Sequence, residues 1–118
     1  MAVGAIEPKF YALFLAGLGL STIDPAEQMH RTLWRATKSE IAAAFMSRTQ
    51  DEWTLVFDDT DACVTPVVSL TEAPSHPHIE HRGSIVVVDG LVQPAPAPRF
   101  AGTDATVGSS PPAVGQDT

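Results

Sequence analysis

Five small groups of residues in this 118-residue chain have the types needed for chemistry. Glu7 precedes Pro8 at the start of an apolar, helix-patterned stretch. Its carboxylate could serve a protein base: a carboxylate beside an imidazole favours the charged ring and fixes its tautomer. It could equally be an acidic residue at a helix start, stabilised by the backbone dipole. His76, His78 and His81 raise the question of a metal. Pro77 favours an extended stretch that turns alternate side chains apart, and no Cys or carboxylate nearby completes a ligand spacing. A turn or interface role is the reading there. Cys63 lies in an apolar run with no basic or helix-start setting, which describes a buried structural thiol and not a nucleophile. Asp58, Asp59 and Asp61 lack the spaced oxygens and glycine of a calcium loop and read as an acidic turn. Arg31, Arg35 and Lys38 share a helix spacing and read as a solvated face. There is no glycine-rich phosphate loop and no nucleophile elbow.

The elements that must position these groups begin with a helix. Pro8 suits a first helical position, and Phe10, Leu13, Phe14 and Leu18 follow at helical spacing. Gly17 and Gly19 end it, one of them in the left-handed cap conformation. Three capping patterns come next: Asp24-Pro25-Ala26-Glu27, continued by residues 28–33; Thr37-Lys38-Ser39-Glu40, with Ile41, Ala42, Phe45 and Met46 as its stripe; and Thr49-Gln50-Asp51-Glu52, with Trp53, Val56 and Phe57 behind it. Trp34, Phe45, Trp53 and Phe57 read as core. Ala62-Cys63-Val64 is a brief buried strand stopped by Pro66. Ser69-Leu70-Thr71-Glu72 opens one helical turn, and residues 76–83 form a turn or short helix. Ser84 to Val88 and Leu91 to Gln93 then flank Asp89-Gly90, the pair a two-residue hairpin turn needs. Pro94 to Pro98 is an extended strip lying along another surface. From Ala101 onward Gly, Ser, Thr, Pro and Asp dominate, and the end reads as flexible. The fold class is α+β: a small helical layer, a short strand, a β-hairpin and an extended Pro-rich tail.

Composition narrows the function. A formal net charge of −7 argues against nucleic acid and anionic membranes as partners. One cysteine excludes an internal disulfide framework and suits a reducing, cytoplasmic compartment. The longest apolar run, Phe10 to Leu20, is too short to span a bilayer, and there is no signal-peptide pattern.

Five stretches, in this order, resemble the family III CoA-transferases. They are Val3-Gly4-Ala5-Ile6-Glu7-Pro8-Lys9-Phe10-Tyr11; Arg48-Thr49-Gln50-Asp51-Glu52-Trp53; Thr60-Asp61-Ala62-Cys63-Val64-Thr65-Pro66-Val67; Glu72-Ala73-Pro74-Ser75-His76-Pro77-His78; and Arg82-Gly83 through Asp89-Gly90 to Pro98-Arg99-Phe100. Within the family, the stretch around Asp51-Glu52-Trp53 and the hairpin are most similar to the branch that racemises 2-methylacyl-CoA thioesters in lipid metabolism. The resemblance covers residues 1–100 as a small-domain segment, with 101–118 as a tail. It returns faintly at Gly115-Gln116-Asp117-Thr118, which in the family precedes a final helix, so it implies a segment truncated at both ends.

The resemblance implies a family III fold of which this chain is one part. A large α/β domain binds CoA, and two subunits interlock so that each active site lies between domains of different subunits. No cofactor is implied, since the CoA thioester is the substrate. A His and an Asp of the large domain exchange the α-proton, and nothing in this chain matches their motifs. Glu7 matches a glutamate offered by the small domain towards that His. The chain alone is therefore expected to be inactive, and its partner is a homodimer mate or a separate large-domain chain. The Phe10–Leu20 face and the Pro94–Pro98 strip are expected to pack on the large domain. A CoA-transferase of the same family and a non-catalytic assembly module remain the alternatives.

Overall fold

A computed structural model describes residues 1–116; Asp117 and Thr118, part of the faint final match, lie outside the described residues. The chain divides into two compact units, Met1–Val67 and Val68–Thr118.

The first unit holds β1 (Ala2–Val3), α1 (Pro8–Leu18), α2 (Trp34–Phe45), α3 (Gln50–Phe57) and β2 (Val64–Thr65). Helix α1 starts where the sequence places it, with Pro8 at its first position. It stops at Gly19, whose φ of 74° is a left-handed cap that a residue with a Cβ adopts only at a cost. Tyr11, Phe14, Leu15 and Leu18 face inward from α1 and meet Trp53 and Phe57 from α3, with Ala5 and Ala62 closing the cluster. The rings form a connected stack: Phe14 lies 6.1 Å from Phe45 and 6.2 Å from Phe57, and Trp53 lies 5.6 Å from Phe45 and 5.9 Å from Phe57. The buried indole satisfies its N–H by donating to the Phe45 carbonyl at 3.0 Å. Gly17 admits this packing, because a Cβ there would strike the edge of the Phe57 ring. The inward face of α1, expected to cover another domain, is thus the core of this unit. Only its flank, with Leu13 45% exposed, remains open.

Of the three capping patterns in this unit, one works as read. Thr49 Oγ1 accepts the Glu52 N–H at 3.3 Å, and the Glu52 carboxylate accepts the Thr49 N–H at 2.8 Å. Asp24 accepts the Ala26 N–H at 2.9 Å, but only a 3-10 turn over Pro25–Glu27 follows, and residues 28–33 continue as turns instead of a helix. Glu27 turns to His30 instead of reaching back. Thr37 caps nothing, since α2 has already begun at Trp34 and the Thr37 N–H donates to the Leu33 carbonyl at 3.0 Å. Trp34 is 47% exposed, outside the core it was expected to join.

Strand β1 pairs antiparallel with β2, Ala2 opposite Thr65 and Val3 opposite Val64. Cys63 precedes β2 with φ of 54° and is exposed, so the buried-thiol expectation is corrected. The positive φ rotates it out of the strand's alternation, and its neighbour Ala62 takes the buried place.

The second unit begins with the single helical turn expected after Ser69, closed by a capping box. The Glu72 carboxylate accepts the Ser69 N–H at 2.9 Å, Ser69 Oγ accepts the Glu72 N–H at 3.3 Å, and the Ala73 N–H donates to the Ser69 carbonyl at 2.9 Å. A 3-10 turn over Ala73–Ser75 and α4 (Pro77–His81) follow, the latter started by Pro77. Pro77 therefore begins a helix and does not extend the chain. Strands β3 (Ile85–Val88) and β4 (Leu91–Pro94) form the hairpin, with Val88 opposite Leu91. Asp89 and Gly90 take φ of 50° and 80°, the paired left-handed turn the sequence predicts. No described residue of this unit is buried. No helix among the described residues is long and apolar enough to cross a membrane.

Candidate functional site

The residue singled out from the sequence, Glu7, is exposed and occupies the N-cap of α1 with φ of −74° and ψ of 143°. Its carbonyl accepts the Tyr11 N–H at 2.9 Å and so opens the helix, but its side chain does not cap it. Among the described residues nothing hydrogen-bonds or ion-pairs with the carboxylate. An acid that spends no bond on its own helix is free to meet an outside group.

The backbone beneath it is held firmly. The Gly4 N–H donates to the Cys63 carbonyl at 2.8 Å and extends the β1–β2 contact by one residue. The Ile6 N–H turns back to the Gly4 carbonyl at 2.8 Å. Ala5 is buried, and its carbonyl accepts Gln28 Nε2–H at 2.9 Å. Ile6, beside Glu7, is 75% exposed. The arrangement is a hydrogen-bonded turn that presents one carboxylate and one aliphatic side chain outward.

Other candidates separate from it. Cys63 lies under Gly4 through its carbonyl, while its thiol sits 3.7 Å from the Asp61 carbonyl. His76 precedes α4 and His78 and His81 lie in it. No three His, Cys, Asp or Glu among the described residues are grouped to hold a metal ion. Arg31 stacks on Trp34 at 5.5 Å in the turn before α2, so only Arg35 and Lys38 of the expected basic face belong to that helix. A separate feature of this unit is a cleft of about 580 Å³ walled by Tyr11, Ile23, Leu33, Trp34 and Ile41. Asp24, Glu27 and Glu40 line it with one cation, Lys38, a charge balance that repels a polyphosphate. Burial pushes the Tyr11 phenol up, so it stays a neutral wall of that cleft at ordinary pH.

Gln28 and Trp34 carry no signal in the sequence for the places they take. Gln28 looked like an interior helix residue and Trp34 like core. Their hydrogen bonds join residues 23 and 6 apart, a spacing no local pattern encodes.

The model of CoA-transferase family III matches residues 1–118. The α-methylacyl-CoA racemase of Mus musculus is 46% identical over 121 residues, covering 100% of this chain and 32% of that protein. The α-methylacyl-CoA racemase of Homo sapiens is 44% identical over 106 residues, 89% of this chain and 28% of that protein. A CaiB/baiF CoA-transferase family protein of Caenorhabditis elegans is 29% identical over 99 residues, 84% of this chain and 28% of that protein. The chain thus spans about a third of the length of the curated relatives it matches. With the family's model matching from the first residue to the last, the chain belongs to CoA-transferase family III.

Proposed function

We propose that this chain supplies the small-domain part of an acyl-CoA racemase, interconverting (R)- and (S)-2-methylacyl-CoA, and that Glu7 is its contribution to the active site. The reaction takes the α-proton from one face of the thioester onto a base. The electron pair left on the α-carbon spreads onto the thioester carbonyl as an enolate, and a proton returns to the opposite face. Both proton carriers, a His and an Asp, lie in the large domain outside these residues. Glu7 faces that His, favours its protonated form and holds its tautomer. The supporting observation is the outward, unpartnered carboxylate on a backbone pinned at Gly4 and Ala5. The identity to two proteins named as racemases supports this reaction over CoA transfer.

The reading is tested by α-proton exchange into a 2-methylacyl-CoA in deuterated water. The chain alone gives no exchange. The chain grafted in place of the matching segment of the mouse racemase exchanges, and Glu7→Gln in that graft lowers kcat by about tenfold or more. Turnover by the isolated chain, or a Glu7→Gln graft as fast as its parent, sinks it. A non-catalytic assembly module draws support from the second unit, where Leu70, Val87 and Val92 are 94%, 66% and 59% exposed and no described residue is buried. An inactive graft that still assembles with the large domain would favour that reading.

A further inference from the structure

We infer that Gln28 is a positioning residue for Glu7, acting through the carbonyl of Ala5, and that Trp34 holds Gln28 in place; this rests on the reading of Glu7 above. Residues 4–7 join β1 to α1 without regular secondary structure. Three of their anchors are backbone to backbone, Gly4 to Cys63, Ile6 to Gly4 and Tyr11 to Glu7, and they need no particular side chain. The fourth is the only hydrogen bond from a side chain to this turn among the described residues: Gln28 Nε2–H to Ala5 O, 2.9 Å, partly buried and bridging 23 positions. Ala5 is 6% exposed, so its carbonyl has little access to water and depends on that donor.

Gln28 is itself fixed. Its N–H donates to the Pro25 carbonyl at 3.3 Å, ending the 3-10 turn, and its carbonyl accepts Trp34 Nε1–H at 2.9 Å. The exposed indole is steadied in turn by Arg31, 5.5 Å from the ring. The hydrogen bonds therefore run from the first residue of α2, through Gln28, to a peptide group two residues before Glu7. This explains why Trp34 lies outside the core: its N–H has a specific acceptor there. The peptide planes on either side of Glu7 set the direction of its Cα–Cβ bond. The later one is held by the helix through the Tyr11 N–H, and the earlier one follows on from the Ala5–Ile6 plane that Gln28 holds. A carboxylate three bonds further out amplifies any freedom in those planes, and a displacement of about 1 Å at a reacting centre can cost about a hundredfold in rate.

The test uses the 118-residue chain labelled with ¹⁵N. Gln28→Glu keeps the shape but, ionised, has no proton to donate to Ala5 O. In that variant the amide order parameters of Ile6 and Glu7 fall from about 0.85 to below about 0.6, while those of Trp53 and Phe57 hold. Gln28→Lys restores a donor and most of the order. Trp34→Phe, which keeps the ring and loses the N–H, gives the same change to a smaller extent and serves if Gln28→Glu does not fold. Unchanged order at Ile6 and Glu7, uniform loosening of the whole unit, or no rescue by Lys overturns the inference. In the grafted racemase, Gln28→Glu lowers kcat about tenfold and leaves KM unchanged. If Glu7→Gln slows the graft and Gln28→Glu does not, the inference fails alone; if neither slows it, the reading of Glu7 fails.

Discussion

Residues 1–67 and residues 68–116 reach order by different means. The first unit buries eight residues in one cluster built from sequence-distant helices. The second buries none and relies on hydrogen bonds made close to home. Ser69 and Glu72 cap a turn and Asp89-Gly90 reverses the hairpin; one link reaches further, from Arg99 to the carbonyls of Arg82 and Gly83, 17 and 16 positions back. Local bonds select a conformation, but apolar burial supplies most of the cooperative free energy, and a lone two-stranded hairpin is marginal in water. The proposed site sits on the unit with the core, which is where a carboxylate can be held still.

The sharpest way to break this contrast is Trp53→Ala. It removes the ring that touches Phe45 and Phe57 and leaves a cavity, at a cost of about 3–5 kcal/mol. Denaturant unfolding followed by fluorescence of the remaining Trp34 should show the first unit unfolded or nearly so. A cost under about 1 kcal/mol would mean the cluster does not carry the stability. Gly17→Ala should come next. Helix propensity favours alanine by about 1 kcal/mol, yet the new methyl meets the Phe57 ring, so overpacking of about 1–3 kcal/mol prevails. A variant that melts higher than the parent would show that Phe57 can swing aside.

Paired cap deletions compare the units directly. Thr49→Ala should lower the stability of the first unit by about 1 kcal/mol, because α3 carries Trp53 and Phe57 into the core. Ser69→Ala should leave the melting transition in place and speed amide exchange only around residues 72–76. Equal effects on the melt would erase the distinction.

The smallest effect is in pH. Hydrogen bonds from the Thr49 backbone and hydroxyl hold the Glu52 carboxyl below its ordinary value, and bonds from the Ser69 hydroxyl and backbone do the same for Glu72. A carboxyl whose pKa is depressed in the folded state stabilises it above the unfolded value, near 4.5, and that stabilisation is lost as pH falls through the lower folded value. The melting temperature should therefore drop as pH falls below about 4.5 and through the lower folded value, and Glu52→Gln should flatten the drop. Glu72→Gln should leave it unchanged. A steeper slope from Glu72 would place the second unit inside the cooperative transition.

What was legible in the sequence follows the same division. The Asp-Gly hairpin, the Pro8 start and the Thr49–Glu52 box are local devices whose geometry involves residues a few positions apart, and each appears where the sequence places it. Of the two glycines that the sequence offers as helix ends, Gly19 is the cap and Gly17 lies inside α1. The Thr37 and Asp24 patterns have the same letters and fail as helix starts. Helix α2 begins three residues ahead of Thr37, at Trp34, whose indole N–H is held by the Gln28 carbonyl. The Asp24 turn goes no further than one 3-10 turn, at whose end the Gln28 side chain reaches Ala5. Cys63 misled for a similar reason: its apolar neighbours suggest a strand, while its positive φ depends on the pairing of Gly4 across from it. Glu7 was legible as a candidate through family resemblance and a helix-start position. The turn that fixes it was not, since Ala5, Gln28, Trp34 and Cys63 meet only after folding.

The central claim is that Glu7 acts on a histidine of the large domain. The most direct measurement is the pH dependence of kcat/KM for the grafted racemase with Glu7 and with Glu7→Gln. A carboxylate beside an imidazole raises its pKa, so the limb belonging to the histidine should move down by about one unit in Glu7→Gln. Two profiles with the same limbs, even at different heights, would contradict the account.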